Sequence, residues 1–337
     1  MAERVLVVGA GAISEAWFPA LLEERVHIGA VVDLRIEAAR AAIHKYKLDA
    51  EAATELAAAL KKVKPDFVLD LTVPEAHCDV TCAALEAGCH VLGEKPMAAS
   101  MEEARRMVAT AERTRKVYMV SQNRRWEPRH EAIRGALASE VIGGVSTINC
   151  DFYVGAHFGG FRDEMAHPLL LDMAIHHFDL ARLFSGSDGV AVYAKEFNPK
   201  GSWYRGDVAA SCVFEMTDGI VFTYRGSWCA EGFPTSWHGN WRIVGERGTV
   251  LYEQDQDPRA QVVAGEAGFQ RPVADVPIPV AAMEATGMHG ALREMLAFLR
   301  TGRRPQTECH DNVKSFAMVH AAVESARRTQ RLTLEVS

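Results

Sequence analysis

Two short stretches hold side chains whose types and spacing suit proton chemistry. In "HPLLLDMAIHHFDLARLFSG", Asp172 and His176 are four residues apart, which puts both on one face of a helix. A carboxylate beside an imidazole orients the ring and raises its basicity, as a general base requires; a satisfied structural pair is the plain alternative. In "VLGEKPMA", Glu94 and Lys95 stand where the apolar run of Val91 and Leu92 ends, and Pro96 stiffens the chain just after them. Taken alone, Lys95 is as well explained as an ion-pair partner of Glu94.

A third stretch is built for binding. Gly9-Ala10-Gly11-Ala12-Ile13-Ser14 follows the β-branched run "RVLVV" and opens a helix-periodic segment. This is the dinucleotide fingerprint with Ser14 at the third glycine position. The first glycine permits a tight turn. The second lets a pyrophosphate approach the helix N-terminus, where free N–H groups and the helix dipole favour anions. The third place serves helix–strand packing, and serine is small enough for it. Asp33 ends the next apolar run, about 20 residues on, where an acid accepts hydrogen bonds from the adenosine ribose. It would repel a 2′-phosphate, so NAD is the expected cofactor. Arg35 could pair with that phosphate and keeps NADP possible.

The elements that must position these residues alternate in the first half. Strands are expected at "RVLVV", "HIGAVVD", "PDFVLDLTVP", "CHVLGE" and "VYMVSQ". Helices are expected at "EAWFPALLEE", "IEAARAAIHKY", "TELAAALKKV", "EAHCDVTCAALEAG" and "SMEEARRMVATAERT", the last with Ser100 as N-cap and Glu103 completing a capping box. Alternation implies parallel strands with right-handed crossovers, and ligands then bind at the carboxyl ends of the strands. Gly9, Gly11, Asp33, Thr72, Pro74, Glu94, Lys95 and Asn123 all fall just after strands, so one sheet edge should carry them.

After Asn123 the pattern becomes sheet-rich. "VSTINCDFYVG" alternates, "AASCVFEMTDGIVFTYRGSW" reads as two strands turning at Asp218-Gly219, and "WRIVGERGTVLYE" repeats this around Glu246 and Gly248. Residues 1–122 are therefore expected to form a Rossmann dinucleotide-binding domain and residues 123–337 an α+β domain with a large, mostly antiparallel open sheet. The second would serve substrate binding and oligomerisation. The helix "HPLLLDMAIHHFDLARLFSG" should begin at Pro168, end at Gly186, and bury Leu170, Ala174, Phe178 and Ala181. Its His177 and Asp179, with His167, share no single face with Asp172 and His176, and no metal is expected.

Composition excludes other classes. Of 337 residues 48% are hydrophobic and 24% charged, an ordinary globular balance. A net charge of −7 argues against nucleic acid as a partner. No apolar run approaches the ~20 residues of a membrane span, and no signal peptide is read, so a cytoplasmic protein is expected. The seven cysteines are scattered without a CxxC pair and read as reduced core residues. Trp237 and Trp241 read as sheet packing or interface.

The order of these motifs resembles the glucose–fructose oxidoreductase/inositol dehydrogenase (Gfo/Idh/MocA) family: the glycine turn, the acid after the second strand, "TVPEAH", "AGCHVLGEKP", "NRRWEP" and "DMAIHHFD". The likeness runs the length of the chain. It departs at Ser14, and at Val73, which separates Thr72 from Pro74.

The resemblance implies an NAD(P)-dependent dehydrogenase acting on a secondary hydroxyl or ketone of a sugar, inositol or related polyol. It implies a cis bond before Pro96, Lys95 at the reacting hydroxyl, and Glu94 at the nicotinamide ribose. His176 would be the general base, oriented by Asp172. The cofactor set would be Gly9, Gly11, Ala12, Ile13, Asp33, Thr72, Pro74, His77, Glu94, Lys95 and Asn123. The substrate set would be Lys95, Arg125, Tyr153, Asp172 and His176, although Arg125 reads equally as an ion pair. Tyr153 and His157 read equally as parts of a sheet-edge loop. Open sheets in the family pair, so a homodimer or homotetramer is expected. The alternatives are a non-catalytic dinucleotide-sensing regulator and an NAD-dependent glycoside hydrolase of the same fold.

Overall fold

The computed structural model describes residues 3–335, which divide into two compact units. The first runs through Trp126 and takes in Glu284–Val313; the second is Glu127–Met283 with the chain from Lys314 onward.

In the first unit, β1 (Arg4–Val8), β2 (His27–Val32), β3 (Glu51–Ala53), β4 (Phe67–Asp70), β5 (His90–Gly93) and β6 (Tyr118–Val120) form one parallel sheet. Its order, β3-β2-β1-β4-β5-β6, is that of a Rossmann fold. Five helices connect the strands: α1 (Ser14–Glu23), α2 (Ile36–Tyr46), α3 (Leu56–Val63), α4 (Pro74–Glu86) and α5 (Met101–Thr114). Helices on both faces explain why the central strands read as continuous apolar runs. Val5, Leu6, Val7, Phe67, Val68, Leu69, Val91 and Leu92 are all fully buried.

Local chemistry agrees with this frame. Ser100 Oγ accepts from the Glu103 N–H at 3.2 Å, and the Glu103 carboxylate accepts from the Ala99 N–H at 3.0 Å. Pro19 lies inside α1 and cannot donate to the Glu15 carbonyl; the Tyr46 hydroxyl donates to that carbonyl instead, at 3.5 Å. Pro74 both ends the strand segment and opens α4, where its missing N–H costs nothing.

The second unit begins with α6 (Pro128–Ala138) and β7 (Val145–Tyr153), followed by the short α7 (Phe161–Glu164). A π-helical turn, Leu169–Ala174, then runs into α8 (Ile175–Ser185). The remaining strands are β8 (Gly189–Phe197), β9 (Ala209–Met216), β10 (Val221–Ser227), β11 (Asn240–Gly245), β12 (Gly248–Tyr252), β13 (Arg259–Val263) and β14 (Val273–Pro277). After α9 (Gly287–Thr301), α10 (Cys309–Arg328) contains the division between the units, and β15 (Leu332–Thr333) closes the chain.

The nine strands of this sheet lie in the order β14-β13-β12-β11-β7-β10-β9-β8-β15. All pairs are antiparallel except β7 with β10. Both expected hairpins form, β9–β10 and β11–β12. The helix carrying Asp172 and His176 begins after Pro168 and ends at Gly186, which takes the left-handed conformation at φ 68°. Leu170, Ala174, Phe178 and Ala181 are buried against the sheet as expected. Phe178 meets Phe214 and Tyr224 edge-on, with ring centroids 4.8 and 5.3 Å apart.

Candidate functional site

In the first unit, Gly9, Gly11, Asp33, Thr72, Glu94 and Asn123 lie at the carboxyl ends of the strands. Gly9 follows β1 at φ 97°, a region glycine enters without strain. A Cβ there would lie 2.6 Å from the Leu71 carbonyl oxygen, so the turn after β1 is pressed against the turn after β4. Gly11 is the opposite case: a Cβ would meet nothing within 4 Å. That open space lies at the start of α1, where a pyrophosphate would sit. Ala12 and Ile13 continue the turn, and the Ser14 hydroxyl donates to the Gly11 carbonyl at 2.7 Å. Serine thus braces the loop at the position where the fingerprint has its third glycine.

Asp33 is tied to this turn. Its carboxylate accepts from the Ala10 N–H and the Arg35 N–H, both at 2.9 Å, and the Arg35 guanidinium lies 3.8 Å away. Leu34 and Val73, at the same edge, expose apolar side chains that a flat base could cover. After β6, Ser121, Gln122 and Asn123 each bury side-chain polar atoms that lack a hydrogen-bond partner among the described residues. A braced glycine turn, an acid after β2 and orphaned amides after β6 fit a dinucleotide.

Two of the expected cofactor residues act from behind this edge. His77 is only 1% exposed; its Nδ1 lies 3.2 Å from both Asp70 and the Thr72 hydroxyl. Burial alone would lower its pKa, but the Asp70 carboxylate outweighs that, and the imidazole keeps its proton above the ordinary range. Thr72 in turn donates to Asp70 at 2.6 Å, so His77 holds the turn carrying Thr72 and Pro74. Glu94 is likewise buried. It accepts from the Trp17 indole N–H at 2.8 Å and from the Lys95 N–H at 3.1 Å. Burial pushes its carboxyl up against the opposing pull of Lys95 and Trp17. The bond between Lys95 and Pro96 is cis.

Arg125 takes up the ion-pair alternative. It is buried, donating to Asp311 at 2.8 Å and to the Gln306 carbonyl at 3.1 Å. These contacts support the ion-pair reading of Arg125.

In the second unit, Asp172 lies in the π-helical turn and His176 in the first turn of α8. A wider turn inside a helix is a recurrent mark of functional positions. His176 is 7% exposed. Asp172 accepts from Arg162 Nε at 2.6 Å, a contact the sequence does not disclose. The Arg162 guanidinium lies 5.0 and 4.7 Å from the Phe158 and Phe161 ring centroids. Asp179 is structural: it accepts from Ser315, which also accepts from Arg182, both at 2.7 Å.

Tyr153 ends β7. Ile148, Cys150 and Phe152 of β7 enter the core against the helix of Asp172 and His176. Strand alternation puts Tyr153 on the opposite face with Asp151, whose carboxylate binds Arg225. His157 stacks on Trp203 at 3.6 Å and bonds Glu231 at 2.9 Å.

The sheet order and the glycine turn define a dinucleotide-binding α/β protein. Comparison with known proteins gives the family. Residues 3–122 match the family described as an oxidoreductase family with an NAD-binding Rossmann fold, and residues 130–251 match the GFO/IDH/MocA C-terminal domain. The chain belongs to the GFO/IDH/MocA oxidoreductase family, and it is an enzyme with an NAD-binding fold.

Among its relatives, an uncharacterised protein of Sinorhizobium fredii is 28% identical over 99% of this chain and 96% of its own. The D-apiose dehydrogenase of Paraburkholderia graminis is 27% identical over 83% of this chain and 76% of its own. The fold is shared with an Agrobacterium radiobacter oxidoreductase solved with NAD+, L-tartaric acid and magnesium, at a TM-score of 0.87 and 21% identity, covering 99% of this chain and 98% of that one. Among the described residues no helix is long and apolar enough to cross a membrane.

Proposed function

We propose that this enzyme transfers a hydride between NAD and a secondary hydroxyl or ketone of a sugar, inositol or related polyol. The observation that carries the reading is the braced Gly9–Gly11 turn with Asp33 locked to it, together with Asp172 and His176 on one helix. Relatives named D-apiose dehydrogenase and inositol 2-dehydrogenase support the polyol class.

Bound NAD supplies the hydride acceptor. His176 accepts the hydroxyl proton, Asp172 orients that imidazole, and Lys95 stabilises the developing alkoxide. The C–H pair leaves as hydride while the O–H proton goes to His176, so charge and electrons balance. Asp33 favours NAD over NADP, because its carboxylate would face a 2′-phosphate. The first unit would hold the dinucleotide and supply Lys95, and the second would supply Asp172 and His176, in a cytoplasmic homodimer or homotetramer.

The test is a screen of sugars, inositols and other polyols with each dinucleotide, following absorbance of the reduced nicotinamide. Lys95→Ala and His176→Ala are run beside the wild type. Each should lose roughly 10²–10⁴-fold in turnover. Unchanged turnover in both variants rejects these roles, and tighter binding of NADP than of NAD rejects the reading of Asp33.

A further inference from the structure

Beside the π-helical turn, three segments of the second unit meet at a cluster the proposed reaction does not use. His167 precedes the π-helical turn, Glu196 lies near the end of β8, and Asp207 precedes β9. Backbone hydrogen bonds staple the segments together. The Asp207 N–H donates to the Ala166 carbonyl at 2.9 Å, and the Arg205 N–H to the Asp163 carbonyl at 2.8 Å. Gly206 lies flat against this backbone: a Cβ would come 2.2 Å from the Met165 and Ala166 carbonyl oxygens. Only glycine lets the β8–β9 connection approach so closely, and the approach delivers Asp207 to His167.

One potential ligand atom from each of His167, Glu196 and Asp207 lies within 4.8 Å of the others. Glu196 is 6% exposed. One of its oxygens meets His167 Nδ1 at 2.6 Å; the other is buried without a hydrogen-bond partner among the described residues. A carboxylate oxygen so buried is costly unless a cation or donor meets it. Burial raises the Glu196 pKa, and the hydrogen bond to Glu196 raises that of His167.

We propose that His167, Glu196 and Asp207 form a divalent-cation site. One imidazole nitrogen and two carboxylates suit a first-row ion, Zn2+ or Mn2+, with remaining positions taken by water. The ion sits between His167 and Glu196. Around tetrahedral zinc, with bonds of about 2.0–2.1 Å, neighbouring ligand atoms stand about 3.3 Å apart. The 2.6 Å contact therefore opens by several tenths of an ångström on binding. Because His167 must release its proton, affinity falls as pH falls.

The experiment uses the full chain, stripped with chelator and titrated calorimetrically with Zn2+, Mn2+ and Co2+, with bound metal counted after gel filtration. The expected result is one ion per chain, a rise in Tm with Zn2+, and visible absorption from bound Co2+. Glu196→Gln and Asp207→Asn should each weaken binding at least tenfold. Asp207 is partly exposed, so its variant should fold even if the Glu196 variant does not. His176→Ala should keep full stoichiometry, which separates this site from the proposed catalytic residues. Failure of the wild type to hold any of the three ions stoichiometrically overturns the proposal, as does undiminished binding by Asp207→Asn.

Discussion

The Trp17 indole donates to the Glu94 carboxylate at 2.8 Å, with both side chains buried, and so joins the first helix after the glycine turn to the end of β5. The bond links the element proposed to hold the pyrophosphate to the segment carrying Lys95. Trp17→Phe keeps most of the apolar volume but leaves a buried carboxylate short of a donor. The expected loss is about 1–3 kcal/mol of stability, read by urea denaturation, together with weaker NAD binding. A variant as stable as wild type, with unchanged NAD affinity, would show that the bond has no such linking role.

Arg162 holds Asp172 from outside its helix, through Nε at 2.6 Å. If it positions that carboxylate, Arg162→Ala should lower kcat about tenfold or more while changing KM less, since misplacement by an ångström can cost about 10²-fold. Arg162→Lys keeps the charge but loses the planar fork, and should recover only part of the rate. Equal rates for all three proteins would leave the contact without a positioning role.

Gly9 and Gly11 should fail differently when replaced by alanine. At Gly9 the positive φ and the Leu71 carbonyl at 2.6 Å both oppose a Cβ, so Gly9→Ala should lower Tm as well as NAD affinity. At Gly11 nothing stands within 4 Å, so Gly11→Ala should fold normally and lose NAD affinity by at least tenfold. Calorimetric titration beside thermal unfolding separates the two effects. Full NAD affinity in Gly11→Ala would mean that the open space is not the pyrophosphate seat.

Much of this architecture is legible in the sequence because its signals are local. The alternation of apolar runs, the glycines after β1 and the turns at Asp218-Gly219 and Glu246–Gly248 each act within a few residues. β3 escapes such a reading because Glu51–Ala53 has no β-branched residue and only three positions; it forms by pairing with β2. The partners of Trp17 and Asp172 are equally hidden, since those contacts arise from tertiary packing. The His167, Glu196 and Asp207 cluster is non-local in the same way. Tyr153 does carry a signal: Ile148, Cys150 and Phe152 claim the core face of β7, so alternation alone assigns Tyr153 to the other face. The burial of Arg125 and His77 is likewise hidden, because the acids that make it tolerable, Asp311 and Asp70, come from elsewhere in the chain.

His320, on α10, gives a pH dependence with a definite sign. Its ring packs against Phe316 at 4.3 Å, and its Nε2 is buried without a hydrogen-bond partner among the described residues. Burial lowers its pKa from 6.5 to about 4. The unfolded chain therefore binds a proton at this residue below pH 6.5, while the folded chain binds it only below about pH 4. Between those values the unfolded state carries more protons, so stability rises with pH and is lost as pH falls through the window. The expected loss from His320 between pH 7 and pH 5 is up to about 2 kcal/mol. His90 shares the direction, again mainly through burial, whereas Glu94 and Glu196, with raised pKa values, oppose it. The total acid response is therefore a mixture, and the difference between wild type and His320→Leu isolates one contribution. Urea denaturation at several pH values should give the variant a shallower decline toward pH 5. Parallel pH profiles would mean that His320 takes up its proton in the folded chain as readily as in the unfolded one.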